Sequence, residues 1–240
     1  DIYNNLGLVY RSKGDYPKAE DLYGCALCIR EEIYASDHPM VLATKNNIAQ
    51  VYASEERYGE AISLFETVIR EYRENSTEDS AFLATVYDNL STAYREMERY
   101  EDAIDICTEG LNIRKDIYGK RSLDYAISLN NLALIYYEMG ILNDAADIFS
   151  EALAIKKETL PEIHGQISIG YFNLGLVYDK LHRDNEALEN YRASMEIDNE
   201  LEAYEDVLLT AEYIAEIYER NDMPEDAEAY RTLCSKDDVH

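Results

Sequence analysis

The sequence predicts an all-α chain, a right-handed α-α superhelix of about six helix–turn–helix repeats. Three observations carry that expectation. The same residue columns return at a fixed stride. Within each stride, apolar residues keep the 3.6-residue spacing of a helix. Only 10 Gly and 4 Pro interrupt 240 residues, so turns must be few.

The segments NNLGLVY, NNIAQVY, DNLSTAY, NNLALIY, FNLGLVY and EYIAEIY end at Tyr10, Tyr52, Tyr94, Tyr136, Tyr178 and Tyr218, at intervals of 42 residues four times and then 40. Three columns run with them. One is alanine: Ala19, Ala61, Ala103, Ala145, Ala187 and Ala227. One is always small: Gly7, Ala49, Ser91, Ala133, Gly175 and Ala215. One is branched aliphatic: Leu6, Ile48, Leu90, Leu132, Leu174 and Ile214.

Each copy reads as two antiparallel helices. In copy four, Leu132, Ile135, Tyr136 and Met139 fall on one helical face, Gly140 makes the turn, and Ala145, Ile148, Phe149, Ala152 and Ile155 resume the pattern. Small residues belong where the pair crosses, because a short side chain lets two backbones approach. A further small column (Ala26, Val68, Gly110, Ala152, Ser194) belongs where the second helix meets the next copy. The chain is therefore expected to be a single array over 1–240, with copies at 1–36 (incomplete), 37–78, 79–120, 121–162, 163–202 and 203–240. Copy one lacks the start of its first helix, which suggests a fragment and an end through which copies self-associate. Copy six reads as a polar terminal cap, with Glu212, Glu216 and Glu219 on its first helix and Arg231 in place of an aromatic. Pro39 and Pro224 sit near helix starts, where a missing N–H costs little.

These columns, L-(G/A/S)-x-x-Y, then Ala, then an aromatic (Tyr23, Phe65, Cys107, Phe149, Tyr191), then a small residue, resemble the tetratricopeptide repeat. The 42-residue stride, the Asp37-His38-Pro39 linker and the NNL-type helix openings resemble its longer variety, typified by kinesin light chains. The resemblance implies a binding scaffold whose first helices line a concave groove that takes an extended or helical peptide.

Composition narrows the partner. With 22 Lys+Arg against 49 Asp+Glu, the net charge is −27, which opposes nucleic acid and anionic membrane surfaces. No run approaches the roughly 20 apolar residues of a membrane span. Cys25, Cys28, Cys107 and Cys234 are too sparse for a disulfide framework, so they are expected as core or half-buried thiols in a reducing, cytoplasmic setting. Catalysis has no support in the motifs, and no cofactor is expected. His38 and His164 lie 126 residues apart, three strides, and so share a loop position suited to helix capping; His182 and His240 complete the set.

Candidate peptide-binding residues follow from the register. The residue before the aliphatic column is Asn5, Asn47, Asn89, Asn131 and Asn173. Asn is a poor helix former, by roughly 0.5 kcal/mol per site, so five copies imply an opposing gain. Two roles suit an amide: gripping a peptide backbone, or bonding a neighbouring helix. Beside it lie Asn4, Asn46, Asp88, Asn130 and Phe172, without the basic clamp that chaperone-tail binders of the resembled family use. Leu8, Arg95, Ile127, Leu134, Tyr137, Ile169 and Leu176 are also placed in the groove. Ile127, Leu134, Tyr137, Ile169, Phe172 and Leu176 would form an exposed apolar strip in copies four and five. Groove cations are few (Arg11, Arg95, Lys180, Arg220) against Asp88, Glu96, Glu138, Asp179, Glu212, Glu216 and Glu219. The expected partner is a peptide or protein segment with apolar anchors and neutral or basic flanks. The alternative is a ligand-sensing regulatory segment of a larger signalling protein.

Overall fold

The computed structural model describes residues 1–76 and 80–235, with side chains placed as far as Thr232, so Cys234 and His240 lie outside the described side chains. Among the described residues the chain is helical and has no strand. It divides into two compact units, Asp1–Gly119 and Lys120–His240.

The first unit holds three hairpins: α1 (Ile2–Ser12) with α2 (Tyr16–Ile33), α3 (Pro39–Ser54) with α4 (Tyr58–Asn75), and α5 (Ala81–Glu96) with α6 (Tyr100–Tyr118). The second holds α7 (Leu123–Glu138) with α8 (Leu142–Thr159), α9 (Gly165–Lys180) with α10 (Asp184–Glu200), and α11 (Tyr204–Arg220) with α12 (Pro224–Ser235). Within each unit, the second helix of a hairpin also packs on the first helix of the next.

The columns explain this packing. The alanine column is buried throughout, and so are both small columns. The small residue and the aromatic of a hairpin are matched in size. Tyr23 lies over Gly7 and Tyr191 over Gly175, and a Cβ at either glycine would come within 2.9 Å and 2.5 Å of the ring. Where the aromatic is Phe65 or Phe149, the partner column holds Ala49 or Ala133. Leu6 differs from its column in being exposed.

Every hairpin turn is built alike. A left-handed residue follows each first helix (Gly14, Glu56, Glu98, Gly140, His182, Asp222), with φ between 55° and 76°. The next backbone N–H then reaches back to the column tyrosine's carbonyl, for example Arg57 N to Tyr52 O at 2.9 Å and Arg183 N to Tyr178 O at 2.9 Å. At that same residue Arg57, Arg99 and Arg183 fold their guanidinium groups over the rings of Tyr52, Tyr94 and Tyr178, at 4.0, 4.4 and 4.6 Å. The column tyrosines, half-buried apart from the buried Tyr94, are thus plugs under a cation at most hairpin ends.

The junctions between hairpins use a different device. His38 and His164 cap α3 and α9, each Nδ1 accepting from the backbone N–H two residues on, at 3.2 and 3.1 Å. Ser80 and Ser122 hold the same register and cap α5 and α7 through Oγ, accepting at 3.2 Å from Leu83 N and Tyr125 N. Before α11 this extended linker is gone. Glu202 (φ 57°) makes a hairpin-type turn instead, and Ala203 N donates to Asp198 O at 2.8 Å. That tighter turn accounts for the last interval being 40 residues, not 42. Pro39 and Pro224 occupy the first positions of α3 and α12.

Candidate functional site: the face of the first helices

In each unit the first helices of successive hairpins share a face, and side-chain contacts fix which residues lie on it. Asn47 Nδ2 donates to Asn4 Oδ1 at 3.2 Å and Asn89 Nδ2 to Asn46 Oδ1 at 3.1 Å. In the second unit Asn173 Nδ2 donates to Asn130 Oδ1 at 3.0 Å. The asparagine column therefore forms rungs between neighbouring first helices, each amide donating to the carbonyl oxygen of the flanking column. Asn46 and Asn173 are buried, Asn47, Asn89, Asn130 and Asn131 half-buried, and Asn5 exposed. Of the two roles open to these amides, the hydrogen bonds supply the helix-bonding one, and burial leaves Asn173 little surface for a ligand.

At the last step the rung changes chemistry. Phe172 stands in the acceptor column and Tyr213 in the donor column, and their rings meet edge to face at 5.5 Å. Tyr191 joins them, 5.6 Å from each. The Tyr191 hydroxyl is buried without a hydrogen-bond partner, and burial drives its pKa far up.

The expected apolar strip needs correction. Ile169 is 48 % exposed, but Ile127, Leu134, Tyr137, Phe172 and Leu176 are half-buried. Leu134 and Tyr137 pack on a core of Phe149, Leu153 and Leu174, and Phe172 and Leu176 on one of Tyr191, Ile214 and Ile217. Size and side-chain reach, which the periodic pattern does not encode, draw these groups inward. Leu8, in the first unit, is 48 % exposed.

The electrostatics are corrected too. Asp88 is buried and paired with Arg114 at 2.6 Å, so it adds no open charge. Arg11 donates to Gln50 and Arg95 to Glu96. Lys180 lies 4.0 Å over the Tyr137 ring, and Arg220 is held by Asp179 and Asp184. The cations counted for the groove are thus engaged by the protein itself, while Glu212, Glu216 and Glu219 are exposed. Burial raises the Tyr137 phenol, with Tyr213, Asp179 and Glu138 adding to it.

Cysteine placement also departs from expectation. Cys107 is a core thiol, pushed up to about 12 by burial and by the Asp88 carboxylate. Cys25 and Cys28 are exposed on α2. Their helical face, not their residue type, decides this: Tyr23 and Ala26 take the inward positions of this stretch of α2. Among the described residues no group of three or more His, Cys, Asp or Glu is placed to hold a metal ion, and no helix is long and apolar enough to cross a membrane.

Comparison with known proteins places the chain. Tetratricopeptide-repeat profiles match residues 1–74, 82–158 and 170–201. No curated protein sequence matches it. Among solved structures it is similar to BtubC (BKLC) from P. vanneervenii, with a TM-score of 0.80 and 17 % identity, covering 94 % of this chain and 93 % of that one. It is similar to the nearly identical TPR-like repeats of a Podosopora anserina protein described as a kinesin light chain, with a TM-score of 0.71 and 20 % identity, covering 84 % and 95 %. A third is the signal transduction ATPase with numerous domains from Pyrococcus horikoshii, which carries a tetratricopeptide repeat sensor, with a TM-score of 0.80 and 16 % identity, covering 99 % of this chain and 36 % of that one. At these identities the likeness shows fold alone. Profile and fold agree with the residue columns, and the chain belongs to the tetratricopeptide repeat family, with repeats of the kinesin-light-chain-like kind.

Proposed function

We propose that the chain is a binding scaffold without catalysis of its own, which holds a peptide or protein segment on the face of α7, α9 and α11. The observation that carries this reading is Ile169, an aliphatic side chain left 48 % exposed amid half-buried Leu134, Tyr137, Phe172 and Leu176. Such a graded apolar surface suits a ligand's apolar anchors. The half-buried amides of Asn130 and Asn131 lie on the same helices and offer groups to a ligand backbone. Exposed carboxylates and internally engaged cations favour neutral or basic flanks on the ligand.

The test is a peptide-display screen against the whole chain, followed by Ile169→Glu and Asn131→Ala. Each substitution should weaken the selected peptides about tenfold, roughly 1–2 kcal/mol, and leave the melting temperature nearly unchanged. Peptides that bind both variants as tightly as the parent would remove this face from consideration.

A second reading is a sensor segment within a larger signalling protein. It is favoured by the fold shared with the repeat sensor of the Pyrococcus horikoshii ATPase. A reading frame extending into an effector domain would support it.

A further inference from the structure

The fifth hairpin contains a charge inversion with space in front of it. Stepping back by 42 from Asp198 gives Lys156, Arg114, Tyr72 and Arg30, so three of the four register equivalents are cations. Arg30 shows one arrangement that such a cation adopts. The Arg30 guanidinium, buried between hairpins one and two, donates to Met40 O at 2.8 Å, to Thr44 Oγ1 and to Asp1 Oδ1 at 2.9 Å. With the shortened last interval, the counterparts of Met40 and Thr44 in copy six are Asp206 and Thr210. The main-chain and threonine part of that receptor is therefore present between α10 and α11, the counterpart of Asp1 is Ile169, and the cation has been replaced by a carboxylate.

A cavity of about 220 Å³ lies there, several times the ~30 Å³ share of one water. Its polar end is Asp198, with Ser168, Ser194 and Thr210, all buried. Ser194 Oγ donates to Asp198 at 3.3 Å and lies 2.9 Å from Ser168 Oγ. Ile169, Leu201 and Leu209 wall the cavity and are each more than a third exposed, so its mouth is open and apolar, and Asp206 stands at the rim. No cation among the described residues pairs with Asp198. Burial, reinforced by Asp206, raises this carboxyl's pKa, as expected of a buried acid without a counter-charge. Two carboxylates are too few for a metal cage.

We propose that this cavity is a specificity pocket for a basic side chain of the bound peptide, its alkyl stem lying between Ile169 and Leu209 and its guanidinium or ammonium head reaching Asp198 and Thr210. The pocket opens beside Ile169 and Phe172, so the inference rests on the peptide-binding reading and names one residue of that peptide. A guanidinium fits best, because it satisfies a carboxylate and a hydroxyl at once from one planar fork.

The probe is N-acetyl-arginine N-methylamide, with the citrulline analogue as a neutral control of the same shape, titrated into the full chain by NMR. The arginine compound should shift the methyl signals of Ile169, Leu201 and Leu209 saturably and bind about tenfold tighter than the citrulline compound. Asp198→Asn should abolish the difference. Asp198→Arg, which restores the register's own cation, should abolish binding and raise the melting temperature; it also serves as the test if Asp198→Asn fails to fold. Equal binding of the two compounds, arginine shifts that survive Asp198→Asn, or no arginine shift at these methyls would each overturn the proposal. Arginine exclusion with display-selected peptides still bound through Ile169 refutes the pocket alone. Arginine entry without any peptide binding refutes the wider reading alone.

Discussion

At the scale of single residues, one pairing and one buried charge carry measurable energies. The first is Tyr191 over Gly175. A methyl group at 175 would meet the ring at 2.5 Å, so Gly175→Ala should cost about 1–3 kcal/mol in chemical denaturation. Adding Tyr191→Phe reproduces the Ala133–Phe149 combination of the preceding hairpin and should restore part of that loss. Strict additivity in the double-mutant cycle would show that the two positions are not coupled. The second concerns Lys156, buried on α8, whose pKa is lowered to about 8 by burial alone. Since the unfolded value is higher, near ~10.4, the charged form disfavours the folded state. The penalty, roughly 2–3 kcal/mol, is fully present below about pH 8 and fades as pH rises toward ~10.4. Lys156→Met should therefore stabilise the protein at pH 7, with a margin over the parent that shrinks by pH 10. A margin independent of pH would contradict this account.

At the scale of helices and turns, the stride, the alanine column and the small columns located the hairpins from sequence, because spacing and side-chain size are written directly in it. Turn chemistry was only half legible. Gly14 and Gly140 announce a left-handed turn, but Glu56, Glu98 and His182 adopt the same φ against residue preference, held there by the bond to the column tyrosine's carbonyl. Glu98→Gly should stabilise by about 0.5–1 kcal/mol, and Gly140→Ala should destabilise by a similar amount, read as opposite shifts in denaturation midpoint. Capping by His38 and His164 was readable from their shared loop position. Ser80 and Ser122 do the same work unnoticed, because serine is common and carries no signal of its own. Ser80→Ala and Ser122→Ala should each cost about 1 kcal/mol. For the candidate site, the asparagine column was visible, but its rungs were not. Hydrogen bonds 43 residues apart need the stacking of neighbouring copies before they can be seen. Exposure along the apolar strip was misjudged for the same reason: half-burial depends on neighbours that a single helix pattern leaves out.

For the molecule as a whole, charge is the property that acts at a distance. A net charge of −27, with the cations of the first-helix face engaged internally, should speed capture of a basic peptide and make its association rate fall with added salt. A rate unchanged between low and physiological ionic strength would mean that encounter is not steered. The fit between Tyr191 and Gly175 has a last consequence, for evolution by shuffling. Copies that look interchangeable are keyed, and a first helix donated by copy four would push the Ala133 methyl into a foreign phenol ring. Whole hairpins can be traded between relatives as cassettes, whereas crossovers inside a hairpin split lock from key.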